Sequence, residues 1–394
     1  MRIETIAILG STGSIGKNTL EIVKKTKKFK VVLIAANKNF LKISEQIKTF
    51  NPRVVIVVNT SVYTQIKKKY QKKNIIFLNN FYDIERYIKK IDVTVSAIPG
   101  IAGLEPTIKF TKLSKNILLA NKEAIICGWE LIKKIAIKYS TKITPIDSEH
   151  FSIGLLTKKI SNDEVKKIYI TASGGPFLKL PIKKFKVIKP KDAIKHPKWK
   201  MGKKISVDSA TLMNKVLEVT EALKLFPFKL NKYEIVVHPQ SLIHAIIKLK
   251  NGTSFLLYHL PDMKIPIGNA LLKNFNYSTF LTKKKEKQKN ENYNLDFLPV
   301  NKKKFPLVKL ITKMNAAKSA PIIINAANEI FVDEFLNNNI DFNDISTYLN
   351  LVLRNKNYIK TSNMPSNSIK NIYRIDNWAR SLALQIIKKK KTNV

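Results

Sequence analysis

Cysteine is almost missing from this chain of 394 residues: Cys127 stands alone, which excludes an intrachain disulfide and fits a reducing compartment. Long apolar runs are missing too, since none approaches the roughly 18 residues that a membrane-spanning helix needs. Arginine is scarce. Of 71 basic residues only six are arginine (Arg2, Arg53, Arg86, Arg354, Arg374 and Arg380), and the lysines are spread along the chain beside much isoleucine and asparagine. A formal net charge of +43 would otherwise suggest nucleic acid or an anionic membrane. Nucleic-acid sites favour the planar arginine fork, however, so dispersed lysine reads as the bias of an AT-rich coding sequence. Neither nucleic acid nor membrane is expected as a partner. Zinc is disfavoured as well, because no histidine–cysteine cluster exists. The first β-rich run begins almost at Met1, which leaves no room for a signal or transit peptide. A soluble, cytoplasmic protein is the expectation.

What is present is an α/β pattern. An apolar share of 44% is ordinary for a globular protein, and the length allows two or three domains. Strand-like runs at 5–10, 30–36, 53–58, 75–78, 93–98, 116–120 and 142–146 alternate with helical stretches at 15–25, 39–50, 104–113 and 124–139. Several of the runs are continuously apolar, as in a parallel sheet covered on both faces. Residues 1–147 are therefore expected to form a Rossmann-like, doubly wound parallel sheet. From 148 to 276 the pattern predicts an α+β catalytic domain, with strands at 165–171, 234–237, 243–250 and 253–259. The last three look antiparallel, and Asn251-Gly252 gives a hairpin turn. Residues 277–304 read as a connector and 305–394 as a helical C-terminal domain, with its clearest helices at 326–336 and 378–388. The lysine runs 283–285 and 388–391 read as a solvated linker and a frayed tail.

Gly10, Gly13 and Gly16 follow the first strand and open a helix. Glycine lets backbone approach a pyrophosphate, and the helix start offers unpaired N–H groups and a positive dipole end. Ser11, Thr12 and Ser14 add hydroxyls. After the second strand stand Asn37, Lys38 and Asn39, with no carboxylate to hold ribose hydroxyls. A lysine and two amides suit a 2′-phosphate, which favours NADPH over NADH.

A second constellation needs three carboxylates. Asp147 and Glu149 are two apart, so in an extended segment both point to one side. Glu218 lies on a helical stretch whose start, 206–214, is crowded with polar donors. Hard oxygen ligands of this kind suit Mg²⁺ or Mn²⁺. Glu221, one turn on, satisfies the same spacing as Glu218. Ser173-Gly174-Gly175 is a phosphate-friendly turn, and the segment about 173–203, ending in His196-Pro197-Lys198-Trp199-Lys200-Met201-Gly202, has the make-up of a lid. Trp199 reads equally as a lid residue or a buried anchor.

The segments GSTGSIG (10–16), LLANKE (118–123), PIDSEH (145–150), SGGPF (173–177), HPKWKMGKKISVDSATLMNK (196–215), HPQSLIHA (238–245), PDMKIPI (261–267) and NAANE (325–329) resemble, in order and over nearly the whole chain, the 1-deoxy-D-xylulose 5-phosphate reductoisomerase family. The resemblance implies a three-part subunit, a homodimer, and conversion of that sugar phosphate to 2-C-methyl-D-erythritol 4-phosphate with NADPH and Mg²⁺, Mn²⁺ or Co²⁺. It implies that Asp147, Glu149 and Glu218 bind the metal, and that Ser173, Ser209, Asn214 and Lys215 hold the phosphate. Lys122 and Ser148 would contact substrate oxygens, and His196, Trp199 and Met201 would close the lid. Thr12, Gly13, Ser14, Ile15, Asn37, Lys38, Asn39, Asn121, Glu123 and Gly202 would line the cofactor. Val216, Leu260, Asn37 and Pro99 depart from the family pattern without removing a ligand.

Overall fold

Seven short runs rich in isoleucine and valine assemble into one parallel sheet. In the computed structural model, which describes residues 3–199, 201–281 and 294–391, these are β1 (Glu4–Leu9), β2 (Phe29–Ala36), β3 (Val54–Val57), β4 (Ile76–Leu78), β5 (Ile91–Ser96), β6 (Ser114–Leu119) and β7 (Lys142–Pro145). Their order is β4-β3-β2-β1-β5-β6-β7, and every neighbouring pair is parallel. The chain winds outward to one side of β1 and then, from β5, to the other. The carboxyl ends of β1 and β5 thus flank the switch point at which open α/β sheets bind ligands. All of β3 and β5 is buried, because helices cover both faces. Asparagines start several of these helices. Asn39 accepts from the Lys42 amide ahead of helix Phe40–Phe50, and Asn59 from the Val62 amide ahead of helix Thr60–Lys69.

By contact the chain divides into two units, the first holding this sheet and also the segment that begins at Met263. Composition assigns that segment to the end of the central domain and the start of the connector. Instead, helix Lys264–Leu271 packs on helix Ser14–Thr26, and Ile267, Leu271, Leu272 and Phe280 join the core of the parallel sheet. The cause is hydrophobic: these side chains have apolar partners there that a solvated connector lacks. Residues 282–293, including the lysine run 283–285, lie outside the described residues.

The second unit is built on a mixed sheet of β8 (Val165–Ala172), β9 (Tyr233–Val237), β10 (Ile243–Leu249), β11 (Ser254–Tyr258) and β12 (Leu298–Pro299), in the order β11-β10-β8-β9-β12. The hairpin β10–β11 is antiparallel across Asn251-Gly252, as its turn residues predict. β9 runs opposite to β10, in line with the expected alternation, but the two are not neighbours: β8 lies between them and pairs with β9 in parallel. The long connection from β8 to β9 contains the lid segment and two helices, room enough for a parallel crossover. Helices Ser148–Thr157 and Met213–Leu225 contribute Ile153, Val219 and Ala222 to the core that Ile168, Ile170 and Ile247 supply from the sheet. The C-terminal helices Ala320–Leu336, Phe342–Leu353 and Ile369–Lys391 belong to this same unit. The last of them runs through the lysine run read as a frayed tail, since lysine is a good helix former and its charge suits a helix C-terminus.

Candidate active site

In the first unit, β1 ends on Gly10, whose φ of +85° is left-handed; an added Cβ would stand 2.5 Å from the Ala97 carbonyl oxygen beyond β5. Gly16 is closed off similarly, its Cβ position lying 2.5 Å from the Gly10 oxygen. These two glycines bring the turn against the switch point. Gly13 is the N-cap of helix Ser14–Thr26 and receives no side-chain cap, so the first amides of the helix remain available to an anion. Thr12, Gly13, Ser14 and Ile15 are exposed or half-buried there. Ser11 is not available: its hydroxyl donates to Gln46 Oε1 at 2.7 Å, while Gln46 Nε2 donates back to the Ser11 carbonyl at 2.9 Å. Asn37, Lys38 and Asn39 are exposed at the end of β2.

After β6, Asn121 caps helix Lys122–Lys138 through its oxygen, which accepts from the Ala124 amide at 2.9 Å. Its Nδ2 donates to the carbonyls of Ile98 and Gly100, binding the loop after β5 to this helix start. Both donors of the Asn121 amide are therefore spent on backbone. Lys122 and Glu123 are buried in the first turn, and the Lys122 ammonium donates to Asp147 Oδ2.

Asp147 is bonded to Ser148, the first residue of helix Ser148–Thr157. The D-S-E segment is thus the mouth of a helix rather than an extended strand. Glu149 lies in the first turn, where a carboxylate is favoured by the helix dipole, and it accepts from the Ser148 hydroxyl at 2.7 Å. Helix Met213–Leu225 faces it with three polar residues, Asn214, Lys215 and Glu218, all buried. The Lys215 ammonium donates to Glu149 Oε1 and, at 2.7 Å, to Glu218 Oε2. Asn214 Nδ2 donates to Glu218 Oε1 at 2.5 Å, and Asn214 Oδ1 is buried without a hydrogen-bond partner. Burial opposes charge on Lys215, but Glu149 and Glu218 outweigh it and hold the ammonium above the usual lysine range. Carboxylate oxygens of Asp147, Glu149 and Glu218 lie within 4.8 Å of one another.

Glu218 and Glu221, alternatives by spacing, turn to different partners. Glu221 turns to His150, 3.5 Å away, and Asp147, His150 and Glu221 make a second group of the same compactness. The all-oxygen group fits a hard cation better than the mixed one. Two lysine ammonium groups now sit on its carboxylates, standing in for the positive charge of a divalent ion. The donor set therefore fits such an ion.

Ser173 follows β8. Its Oγ accepts from the Gly175 amide at 3.1 Å and lies 2.9 Å from His196 Nε2. His196 Nδ1 accepts from the backbone amides of Lys198 and Trp199, at 3.1 and 2.8 Å, so the ring proton must be on Nε2 and is given to Ser173. Burial, helped by the Lys215 ammonium, pushes His196 down to about 4, in keeping with a neutral ring. His196 thereby holds the lid backbone to the Ser173 turn. Half-buried Trp199 sets its ring edge against His244, 5.9 Å between centroids. It therefore has a ring partner without being fully buried. Ser209 is buried in the last turn of helix Lys203–Ala210, Gly202 is that helix's exposed N-cap, Met201 is half-buried, and Lys200 lies outside the described residues. Leu212, between this helix and the next, is held at φ +61°, a strained position for a bulky residue, as turns at functional sites often are. His244 lies within the HPQSLIHA segment, which implies no role for it, and its neighbour His259, directly after β11, lies in none of the family-like motifs.

A glycine turn at the switch point of a parallel sheet and, elsewhere in the chain, a hard-oxygen cluster drawn from Asp147 and the helices Ser148–Thr157 and Met213–Leu225 are the features of dinucleotide-dependent oxidoreductases that use a divalent cation. Family models for 1-deoxy-D-xylulose 5-phosphate reductoisomerase match residues 6–128, those for its C-terminal domain residues 143–226, and a further DXP reductoisomerase C-terminal domain residues 259–382. The enzyme of that name from Pelagibacter ubique (strain HTCC1062) is 43% identical over 382 residues, 95% of this chain and 97% of its own length. That of Thermodesulfovibrio yellowstonii (strain ATCC 51303 / DSM 11347 / YP87) is 38% identical over 384, or 96% and 98%. A crystal structure of DOX-P reductoisomerase in complex with NADPH, fosmidomycin and magnesium superposes with a TM-score of 0.90 at 32% identity, covering 98% of this chain and 99% of that one. The Zymomonas mobilis enzyme in complex with NADPH gives 0.83 at 30%, with the same coverage. The chain belongs to the 1-deoxy-D-xylulose 5-phosphate reductoisomerase family.

Proposed function

We propose that this protein converts 1-deoxy-D-xylulose 5-phosphate to 2-C-methyl-D-erythritol 4-phosphate, using NADPH and a divalent cation. The observation that carries the reading is the gathering of Asp147, Glu149 and Glu218, in a chain whose relatives bear that name over their full length. The two groups that bind supply Lewis-acid polarisation of the ketone and its neighbouring hydroxyl, and a hydride. Asp147, Glu149 and Glu218 would hold the cation. Lys122, now on Asp147, would orient substrate oxygens beside Ser148. Ser173, whose own hydroxyl proton is left to be donated, would grip the phosphate with Ser209, Asn214 and Lys215. Holding that remote group supplies binding energy for positioning the reacting carbons. His196, by fixing the amides of Lys198 and Trp199, would order the lid that excludes water and retains the aldehyde formed before reduction. The amides at Gly13–Ile15 would receive the pyrophosphate, and Asn37–Asn39 the 2′-phosphate.

Manganese or cobalt would serve in place of magnesium, because the site asks only for a small cation that accepts oxygen donors. A cytoplasmic homodimer is the expected working form. It is supported by β11, an edge strand with Phe255, Leu256 and Tyr258 all exposed, an apolar edge that a second copy would cover; sedimentation of Leu256→Lys against the parent tests it. Among the described residues no helix is long and apolar enough to cross a membrane. Purified protein given the sugar phosphate and Mg²⁺ should oxidise NADPH. Unchanged NADPH absorbance with folded, metal-supplied protein rejects the assignment.

A further inference from the structure

His259 follows β11 directly, and its ring lies nearly parallel on that of His244, with centroids 3.9 Å apart and an angle of 14°. The pair is tied by backbone as well: His244 Nε2 is 3.3 Å from the His259 carbonyl oxygen. His259 Nδ1 donates to the Leu260 carbonyl at 2.8 Å, which leaves Nε2 as a bare acceptor, and that atom is buried with no hydrogen-bond partner. Phe151, from the helix that begins with Ser148, meets His259 edge-on at 6.1 Å. Trp199 meets His244 edge-on at 71°, with centroids 5.9 Å apart. Four rings thus run from the lid to the helix that carries Glu149. Burial keeps both imidazoles neutral, His244 pushed down to about 3 and His259 below its usual value, so the stack carries no mutual repulsion.

We propose that His259 is a positioning residue for the lid: it seats the His244 ring, and that ring in turn seats Trp199 over the bound sugar phosphate. A single flat contact would let His244 swing about its χ angles. The second ring and the carbonyl bond remove that freedom, so Trp199 docks on a rigid platform without first ordering it. Leu260, which departs from the family pattern, supplies the carbonyl that sets the His259 tautomer. For the identity of the substrate the inference rests on the proposed reductoisomerase activity.

The test replaces His259 with Ala, Phe and Leu in a background where Trp129 and Trp378 are Phe, so that emission reports Trp199 alone. His259→Ala should raise the KM for the sugar phosphate about tenfold, the scale of one aromatic contact. It should leave the KM for NADPH unaltered and shift the Trp199 emission of the free protein. His259→Phe, which keeps a ring and loses both nitrogens, should restore the KM and the emission. His259→Leu fills similar space without stacking and should resemble Ala; because it protects against simple collapse of the core, it stays informative if Ala fails to fold. A Leu variant that matches Phe, or an Ala variant with the parent's KM and emission, overturns the proposal. A parent without turnover would reject the activity instead, while the emission series, which needs no substrate, still decides the stack.

Discussion

The nucleotide turn of the first unit and the carboxylate cluster of the second are built in opposite ways. The turn is backbone: Gly10, Gly13 and Gly16 within seven residues, on a strand and helix that adjoin in sequence. The cluster is side chain: Glu149 and Glu218 lie almost seventy residues apart and meet on the Lys215 ammonium. The turn offers an anion amides that exist wherever the helix starts. The cluster exists only once helices Ser148–Thr157 and Met213–Leu225 have packed on one sheet. Local geometry makes the first robust to neighbours and intolerant of a methyl group; tertiary packing makes the second tolerant of local bulk and intolerant of a lost charge.

The largest expected effect breaks the cluster. Glu149→Gln or Glu218→Gln should lower turnover on the order of 10³-fold, the scale of losing part of the charge stabilisation that a cation supplies. NADPH affinity, read by titration of nucleotide fluorescence, should stay within about twofold. A chelator should do the same to the parent, and a metal titration of Glu149→Gln that matches the parent would remove that residue from the ligand set.

Glycine substitutions sharpen the other side. Gly10→Ala forces a side chain into left-handed backbone and onto a carbonyl, so thermal unfolding should show a loss of about 2–3 kcal/mol. Gly13→Ala meets only the Gly10 oxygen at 3.3 Å and should cost far less stability while weakening NADPH binding. Equal stability losses at both positions would mean that Gly13 too is held by packing rather than by a ligand.

Acid should separate the two units. In the second, unfolded His244 takes its proton near pH 6.5 and the folded residue only near 3, because burial disfavours the imidazolium. Stability is therefore full above pH 6.5 and falls as pH drops toward 3, by about 5 kcal/mol at most. In the first unit Asp92 is held down to about 2: burial opposes this, but the Lys115 ion pair and the bonds from Thr5 prevail. Its contribution survives down to pH 3.8 and is lost below. Amide exchange at pH 5 should thus show β10 loosening before β5, and the reverse order would contradict the pairing.

The smallest expected effect is at Gly202, where an added Cβ meets nothing within 4 Å. Gly202→Ala should leave stability within about 0.5 kcal/mol. A raised KM for NADPH with that stability kept would place the residue at the cofactor.

Much of the fold was open to reading because hydrophobic period is local. All seven parallel strands fall on the short apolar runs expected to be strands, and the asparagines before helices cap them as their side chains allow. What period does not encode is partner choice. Residues 263–276 read as the end of the central domain and 277–281 as connector, yet Ile267, Leu271 and Phe280 find the core of the first sheet. The parallel pairing of β9 with β8 likewise depends on the long crossover between them. In the site, Ser11 was read as a ligand donor and is consumed by Gln46, thirty-five residues on. Asn121 was read as a cofactor contact, and its amide hydrogens hold two carbonyls.

By itself the sequence determined the elements, the glycine turn and the family, because strand and helix periods, tight turns and ordered motifs are written in neighbouring residues. Only the tertiary structure decided that Glu218 rather than Glu221 faces Glu149, that Lys215 sits between them, and that His259 lies beneath His244. Those outcomes depend on which way a helix is rotated as it packs, and rotation is chosen by the sum of core contacts rather than by any spacing along the chain.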